Sequence, residues 1–178
     1  MKRRCSFLVI VLLLLLSLAS AVSHERYGRA NADTVMATSL CDKSEKIVFS
    51  CAVKGSGKIV SLCSSPKLNK SEGYLQYRYG RPGRVELEFP KLRAESRKLF
   101  SYSHYFRAQV DSTEISFTVN GYTYSVFDEY NGEEKPVVSE KGLTVTAESN
   151  SKEVKYLCLG KPVADYADLS ETFENSSP

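Results

Sequence analysis

The chain has 178 residues, of which 42% are hydrophobic and 25% are charged, with 24 basic and 21 acidic residues. Lys2, Arg3 and Arg4 supply three of the basic residues, so the chain from residue 22 onward carries 21 of each sign (24 minus 3, against 21). Because this part of the chain has no net charge, its overall electrostatic field does not attract nucleic acid or anionic lipid.

The first 21 residues have the pattern of a secretory signal peptide. Basic residues precede an apolar run from Phe7 to Leu18, and the small residues Ala19, Ser20 and Ala21 form a cleavage site. The run is shorter than the roughly 20 apolar residues of a membrane-spanning helix, so we predict cleavage after Ala21 and no stable membrane anchor. The remaining 157 residues (178 minus 21) suit a single domain in the periplasm or, alternatively, outside the cell.

Four cysteines follow the predicted signal peptide, which itself contains Cys5. An even number of cysteines in an exported chain predicts two disulfide bonds, and three pairings are open. A metal site is less favoured, because the gaps of 10, 12 and 95 residues between these cysteines contain no Cys-x2-Cys pair. We predict no metal, no cofactor and disulfides formed by Cys41, Cys51, Cys63 and Cys158.

Residues 22–40 are polar and lack a sustained hydrophobic period, so we predict a flexible leader there. The ordered domain is expected to span residues 41–160. Its first hairpin reads KIVFSCAV from Lys46, then the turn KGSG, then KIVSLC, which are two apolar, β-branched runs around a glycine-rich turn. Both runs are apolar on both faces, which predicts a central position in the sheet.

The stretch YLQYRYGRPGRVELEFP, residues 74–90, interleaves aromatic and basic residues at first, as a nucleic-acid surface would, and then alternates apolar and charged residues. A hairpin around residues 80–82 would oppose Tyr77 and Val85 on a buried face and leave Arg78 on a polar face. We therefore interpret the stretch as a strand pair, and no nucleic-acid partner is predicted.

A second hairpin has Asn120 and Gly121 at its centre, the strongest short signal for a two-residue type I′ turn. A single strand over residues 100–110 is expected to lead into it. The register that follows from the turn places apolar pairs on one face: Val119 with Tyr122, Phe117 with Tyr124, and Ile115 with Val126.

Two further strands are predicted at residues 143–147 and 154–159, and one short helical turn between residues 91 and 98. A polar, frayed tail is expected over residues 161–178. Strands at this spacing predict an all-β fold: an antiparallel sandwich or small barrel of about eight strands, built from hairpins and stapled by disulfides.

The chain contains no nucleophile elbow, zinc-protease motif, Walker loop or dinucleotide fingerprint. His104 is the candidate general base; since a lone histidine in a strand is more often structural, we predict a non-enzymatic protein and keep a secreted hydrolase using His104 as an alternative. The acidic segment DEYNGEE, residues 128–134, surrounds a glycine as calcium loops do. Tyr130 occupies a required ligand position, so a solvated turn is favoured.

The segments EKIVFSCAVKGSGKIVSLCSS, GYLQYRYGRPGRVELEFP and NGYTYSVFDEYNG resemble small exported proteins of Gram-negative bacteria. The plan of a signal peptide and a disulfide-bearing antiparallel β domain is similar to the periplasmic inhibitors of lysozyme, particularly the group acting on invertebrate-type lysozyme. The resemblance implies a non-enzymatic protein that inserts loops into the cleft of a cell-wall hydrolase. The family's inserted loop carries Ser-Gly followed by Tyr, and its nearest counterpart here is Asn120-Gly121-Tyr122.

A cleft lined by two carboxylates favours arginine, hydroxyl and backbone N–H donors. The two predicted turns offer such donors, and the acidic segment would meet the basic surface of a lysozyme. A different protein-binding role is an envelope-assembly module that uses an exposed strand edge. The predicted partner-binding residues are Arg81, Asn120, Gly121, Tyr122, Thr123, Asp128 and Glu129.

Overall fold

The computed structural model describes residues 39–176, which form one curled sheet of nine antiparallel strands with two short helical segments. The predicted signal peptide and nearly all of the predicted leader lie outside the described residues. Within residues 39–176, neither helical segment is long and apolar enough to cross a membrane. The elements are β1 (Lys46–Val53), β2 (Ile59–Ser64), β3 (Leu75–Arg81), β4 (Arg84–Phe89), a 3-10 helix (Ser96–Leu99), β5 (Ser101–Arg107), β6 (Val110–Val119), β7 (Tyr122–Asn131), β8 (Val138–Ala147), β9 (Glu153–Ala164) and α1 (Leu169–Thr172).

Two meanders make the sheet. The strand order is β4-β3-β2-β1-β9-β8-β7-β6-β5, so hairpins build β1–β4 and β5–β9, and the pairing of β1 with β9 joins the two halves. The sheet curls into a half-barrel whose edge strands, β4 and β5, follow each other in the chain. The predicted all-β antiparallel class is therefore confirmed, with nine strands, and the predicted helical turn is the 3-10 helix.

The concave face of the half-barrel holds the hydrophobic core. Phe117 of β6 stacks against Phe89 of β4 and Tyr124 of β7, with ring centroids 4.4 and 5.1 Å apart. Phe100, just before β5, packs edge-on against Phe117 at 5.4 Å. Burial of large aromatic rings is strongly stabilising, so this cluster holds the curled sheet together across its open side.

The register predicted for the β3–β4 hairpin is wrong, and of the two residues predicted to oppose each other on its buried face only Tyr77 is buried. Tyr77 opposes Phe89 instead of Val85, because the turn consists of only two residues, Pro82 and Gly83, and a bulge follows at Gly80. A Cβ at Gly80 would lie 2.4 Å from a backbone oxygen of β4, so only glycine permits this close approach. Tyr77 is fully buried and Val85 is exposed.

The strand predicted over residues 100–110 in fact contains the whole of β5, a turn and the first residue of β6. β5 ends at Arg107 and β6 begins at Val110, with Ala108 and Gln109 between them. Gln109 has a φ of 63°, a conformation that glycine or asparagine normally supplies. The turn therefore lacks the usual sequence signal. The Asn-Gly hairpin and its register are confirmed pair by pair.

Residues 161–176 belong to the packed domain. β9 continues to Ala164, and Leu169 of α1 is only 1% exposed within the core. The Asn175 side chain donates to the His104 carbonyl oxygen at 2.8 Å and accepts from the His104 N–H at 2.9 Å. The expected frayed tail is therefore wrong for these residues, because the buried Leu169 side chain and the amide of Asn175 anchor them to the sheet.

Both predicted disulfides are present, and one of the three open pairings is realised. Cys41 bonds to Cys63, and Cys51 bonds to Cys158. The second bond crosses from β1 to β9, so it staples the joint between the two meanders. The Cys41 bond ties the segment before β1 to the outer face of β2. Two disulfides indicate an oxidising, exported environment.

An ion pair is buried under that segment. The Arg78 guanidinium donates to both carboxylate oxygens of Glu45, at 2.6 and 3.0 Å, and the two side chains are 5% and 0% exposed. Burial alone would raise the pKa of Glu45, but hydrogen bonds from Arg78, the Asp42 N–H and the Tyr74 hydroxyl lower it below its ordinary value. Arg78 thus lies on the face predicted to be polar, but it is buried there by the segment before β1.

Candidate functional site

Four hairpin turns lie at the same end of the sheet, because the strands alternate in direction. The turns join β1–β2, β3–β4, β6–β7 and β8–β9. They contact each other in two pairs: Arg81 Nη2 donates to the Ser56 carbonyl oxygen at 3.2 Å, and the Glu148 N–H donates to the Gly121 carbonyl oxygen at 2.9 Å. Arg81 and Gly121 are both predicted to bind a partner. They lie at the same end of the sheet but contact different neighbouring turns.

The β3–β4 turn is a basic tip. Arg81 and Arg84 oppose each other in register, and both are exposed. Lys58 lies beside them and forms an ion pair with Glu86 at 2.6 Å. A hydrogen bond from Lys58 lowers the pKa of Glu86, and the positive charges of Arg84 and Arg81 lower it further. Three cations and one carboxylate leave a local charge of about +2 at this tip.

The β6–β7 turn is rigid but does not present its predicted residues on one surface. Asn120 and Gly121 have φ values of 53° and 76°, as a type I′ turn requires. Tyr122, 46% exposed, follows on the concave side. Thr123 lies on the opposite face, where its hydroxyl is 2.8 Å from the Thr118 hydroxyl. Only Tyr122 of this group therefore borders the inside of the half-barrel.

A tyrosine-lined cleft of about 260 Å³ opens on the concave face. Sequence reasoning missed it. The alternation of residues along several strands does predict that their tyrosines share the inner face. The sequence does not show which of these strands face each other when the sheet curls. The residues that line it are Tyr77, Tyr79, Glu86, Leu87, Tyr124, Leu143, Val145 and Tyr156, and we call it the tyrosine cleft.

A larger polar cleft of about 500 Å³ lies further along the concave face, towards the β5–β6 turn. One row of opposed residues crosses four strands there: His104, Thr113, Asp128 and Lys141. Asp128 contacts Lys141 and accepts a 3.2 Å hydrogen bond from the Tyr166 hydroxyl. Burial and the charge of Asp128 raise the pKa of Tyr166 far above its ordinary value, so this phenol stays protonated.

His104 is partly exposed at the edge of the polar cleft. Its Nε2 lies 3.0 Å from an Asp111 carboxylate oxygen. A carboxylate of this kind can orient an imidazole that acts as a base. Within residues 39–176, the ring's hydrogen-bond partner is this carboxylate and not a serine or threonine hydroxyl, so the pair lacks the nucleophile contact that defines a catalytic triad.

Comparisons with known protein families, curated proteins and solved structures found no match. The function must therefore be inferred from the residues and their geometry.

The predicted acidic turn is a strand for half its length, because β7 runs to Asn131. Asp128 and Glu129 consequently point to opposite faces. Asp128 lies in the polar cleft that His104 also lines, with Thr113 between them. Glu129 instead opposes Glu140 on the outer face, where Lys155 approaches both carboxylates. The structure brings together Asp128 and His104, which the sequence analysis treated separately, and it separates Asp128 from Glu129.

Proposed function

We propose that the chain is a non-enzymatic exported protein that inhibits a lysozyme-like cell-wall hydrolase by placing the basic tip in its substrate cleft. The observation that supports this proposal most directly is the opposition of Arg81 and Arg84 across a two-residue turn. Glycoside hydrolases of this kind carry a pair of carboxylates in the cleft. Guanidinium groups form strong, charge-assisted hydrogen bonds with carboxylates.

The basic tip is also preorganised for binding. The hydrogen bond from Arg81 to the Ser56 carbonyl oxygen restrains the guanidinium, and the bulge at Gly80 fixes the end of the hairpin. A restrained donor loses less conformational entropy when it binds, so more of the interaction energy contributes to affinity. Exposed Val85, which opposes Gly80, adds apolar surface beside the charged tip.

The inhibition test uses the purified secreted chain against invertebrate-type, chicken-type and goose-type lysozymes. We expect Arg81→Ala/Arg84→Ala to weaken inhibition of the susceptible enzyme roughly 100-fold, because each lost charged hydrogen bond costs about 1.5 kcal/mol or more. The matched control is Lys67→Ala/Lys70→Ala, which removes the same charge from exposed positions in the β2–β3 loop. Inhibition of none of these lysozymes, or equal inhibition by the two double variants, would contradict the proposal.

The His104–Asp111 pair in the polar cleft favours one second candidate function, a small hydrolase. Because we propose inhibition through the basic tip, we expect His104→Ala to leave the inhibition constant within two-fold. A peptidoglycan-hydrolysing or esterase activity of the native chain that falls by at least about 100-fold in His104→Ala, the contribution of a general base, would favour the hydrolase instead. Circular dichroism of the variant controls for folding.

The two edge strands make an assembly module that binds through a sheet edge a less favoured function than inhibition. β4 carries Arg84, Glu86 and Glu88 along its length, and charges on an edge strand discourage pairing with another strand. On the other edge, Tyr102 of β5 already forms a parallel bridge with Asn175. Each edge strand thus has a feature that opposes strand addition.

A further inference from the structure

The inner face of the half-barrel changes from apolar to polar towards the β5–β6 turn. One row of opposed inner residues is fully buried and apolar: Ile115, Val126 and Leu143. The next row on the same face of the same strands is polar: Thr113, Asp128 and Lys141. Inward positions of a strand normally carry apolar residues, and polar residues there are unfavourable unless they have a function. The polar cleft therefore occupies positions at which packing alone would favour apolar side chains.

Thr113 places a hydroxyl group in this cleft. The residue is only 5% exposed and lines the cleft, and none of the described residues forms a hydrogen bond with its hydroxyl. Two side-chain atoms of the described residues lack both a partner and contact with solvent, namely the Tyr77 hydroxyl and Arg97 Nε. The Thr113 hydroxyl is not one of them, so it is reached from the cleft. Because a buried hydroxyl without a partner in the chain is satisfied from outside it, this group is available to a ligand.

We propose that the polar cleft binds a neutral saccharide, and that one hydroxyl group of the sugar forms a hydrogen bond with the Thr113 hydroxyl. This inference goes beyond the proposed inhibition, because the cleft is a different surface from the basic tip and binding requires no hydrolase. It also differs from the hydrolase alternative, because the sugar is bound and released unchanged.

The acceptor atoms of the cleft suit the several hydroxyl groups of a sugar. Asp128 uses one carboxylate oxygen, Oδ2, for both Lys141 and the Tyr166 hydroxyl, and in the described part of the chain its Oδ1 has no hydrogen-bond partner. Asp111 similarly uses Oδ1 for His104, and no described residue hydrogen-bonds to its Oδ2. Carboxylate oxygens are strong acceptors, so two of them are open to hydroxyl donors of the ligand.

Tyr130 gives the cleft a ring surface. Its side chain is 43% exposed and lines the cleft. The C–H face of a sugar ring packs on an aromatic ring, and removal of both apolar surfaces from water is favourable. The cleft has a volume of about 500 Å³, within the range of about 300–1,000 Å³ that is usual for ligand sites. It is therefore large enough for a sugar ring.

The charges of the cleft favour a neutral ligand. Lys141 contacts Asp128, and His104 lies 3.0 Å from Asp111. Among the lining residues, each basic group thus has a carboxylate beside it, so a phosphate or carboxylate ligand would meet no unpaired cation. A neutral sugar leaves both pairs in place.

The test titrates the purified chain with methyl β-D-glucopyranoside, methyl β-D-galactopyranoside and N-acetylglucosamine, followed by NMR of the protein amide signals. We expect at least one of these sugars to bind. Thr113→Val keeps the shape of the side chain and removes the hydroxyl, so it should weaken that binding roughly five-fold, the effect of one net hydrogen bond. Cyclohexanol has a six-membered ring and a single hydroxyl group, and it should bind at least about ten-fold more weakly than the sugar.

Thr118→Val is the matched control, because Thr118 lies on the outer face of the same strand, where its hydroxyl is 2.8 Å from that of Thr123. This variant should bind the sugar as the native chain does. Tyr130→Ala removes the ring surface at a partly exposed position and should weaken binding roughly five-fold, so it decides the question should Thr113→Val not fold.

Three results would overturn the proposal: binding of none of the sugars to the native chain, equal affinity of Thr113→Val and Thr118→Val for the sugar, or binding of cyclohexanol as tight as that of the sugar. Unchanged affinity in Tyr130→Ala would overturn it when Thr113→Val does not fold. The lysozyme assay tests the basic tip, so it can succeed or fail independently of these results.

Discussion

Replacing Arg78 with methionine is expected to lower the free energy of unfolding by roughly 3–5 kcal/mol, the cost of leaving a buried charge without its partner. The carboxylate left behind is that of Glu45, whose side chain is 0% exposed. Urea denaturation at neutral pH measures the loss. The matched control is Arg93→Met, which removes the same charge from a side chain that is 44% exposed and 3.1 Å from the same carboxylate.

In Arg93→Met the Glu45 carboxylate keeps both hydrogen bonds from Arg78, and the side chain that is lost is 44% exposed, so the control should lose far less stability than Arg78→Met. The double variant Arg78→Met/Glu45→Met should recover most of the loss, because it removes both buried charges. Equal stability of Arg78→Met and Arg93→Met would contradict the expected large contribution of the buried Arg78–Glu45 pair to the free energy of unfolding.

The same pair makes stability depend on pH in a defined direction. The folded-state pKa of Glu45 lies below its ordinary value of 4.5. Its contribution is therefore complete above about pH 4.5 and is lost as the pH falls through the lower, folded pKa. The difference in stability between the native chain and Arg78→Met should consequently shrink below that pH.

Removal of the disulfide between β1 and β9, by Cys51→Ala/Cys158→Ala, is expected to cost about 4–5 kcal/mol. The bond closes a loop with a sequence separation of 107 residues, and in the chain-entropy model the stabilisation increases with loop length. Cys41→Ala/Cys63→Ala is the comparison: its separation is 22 residues, for which the same model gives about 3 kcal/mol.

Urea denaturation of both double variants, each with one disulfide intact, measures the two losses. A larger loss from the Cys41 and Cys63 pair would contradict the loop-length explanation. It would point instead to the segment that Cys41 holds over the buried Arg78 and Glu45.

Local patterns predicted the parts of the fold that local physics determines. The Asn120-Gly121 turn fixed the register of β6 and β7 correctly, because a type I′ turn permits only one pairing. The turn at Ala108 and Gln109 has no such residues, and a long strand was predicted in its place. Gly80 and Pro82 both indicate a turn in the sequence. The bulge at Gly80, however, depends on how the edge strand β4 pairs with β3.

The candidate site was less accessible to sequence reasoning than the fold. Gly80 and Pro82 predict a turn around Arg81, but Arg81 is the last residue of β3 and pairs with Arg84 beside the turn of Pro82 and Gly83. The tyrosine cleft and the His104–Asp128 row exist only because several strands curl towards one another. Arg78 shows the same limit, since its partner Glu45 comes from a segment without any regular pattern.

The pairing of β1 with β9 also constrains when the chain can fold during its synthesis. Val53 opposes Cys158, so this pairing cannot form until almost the whole domain has emerged. Until then the growing chain can make only its local hairpins, and the edge of β1 stays open to other chains. A domain whose closing strand comes last therefore cannot complete its sheet until that strand has been synthesised.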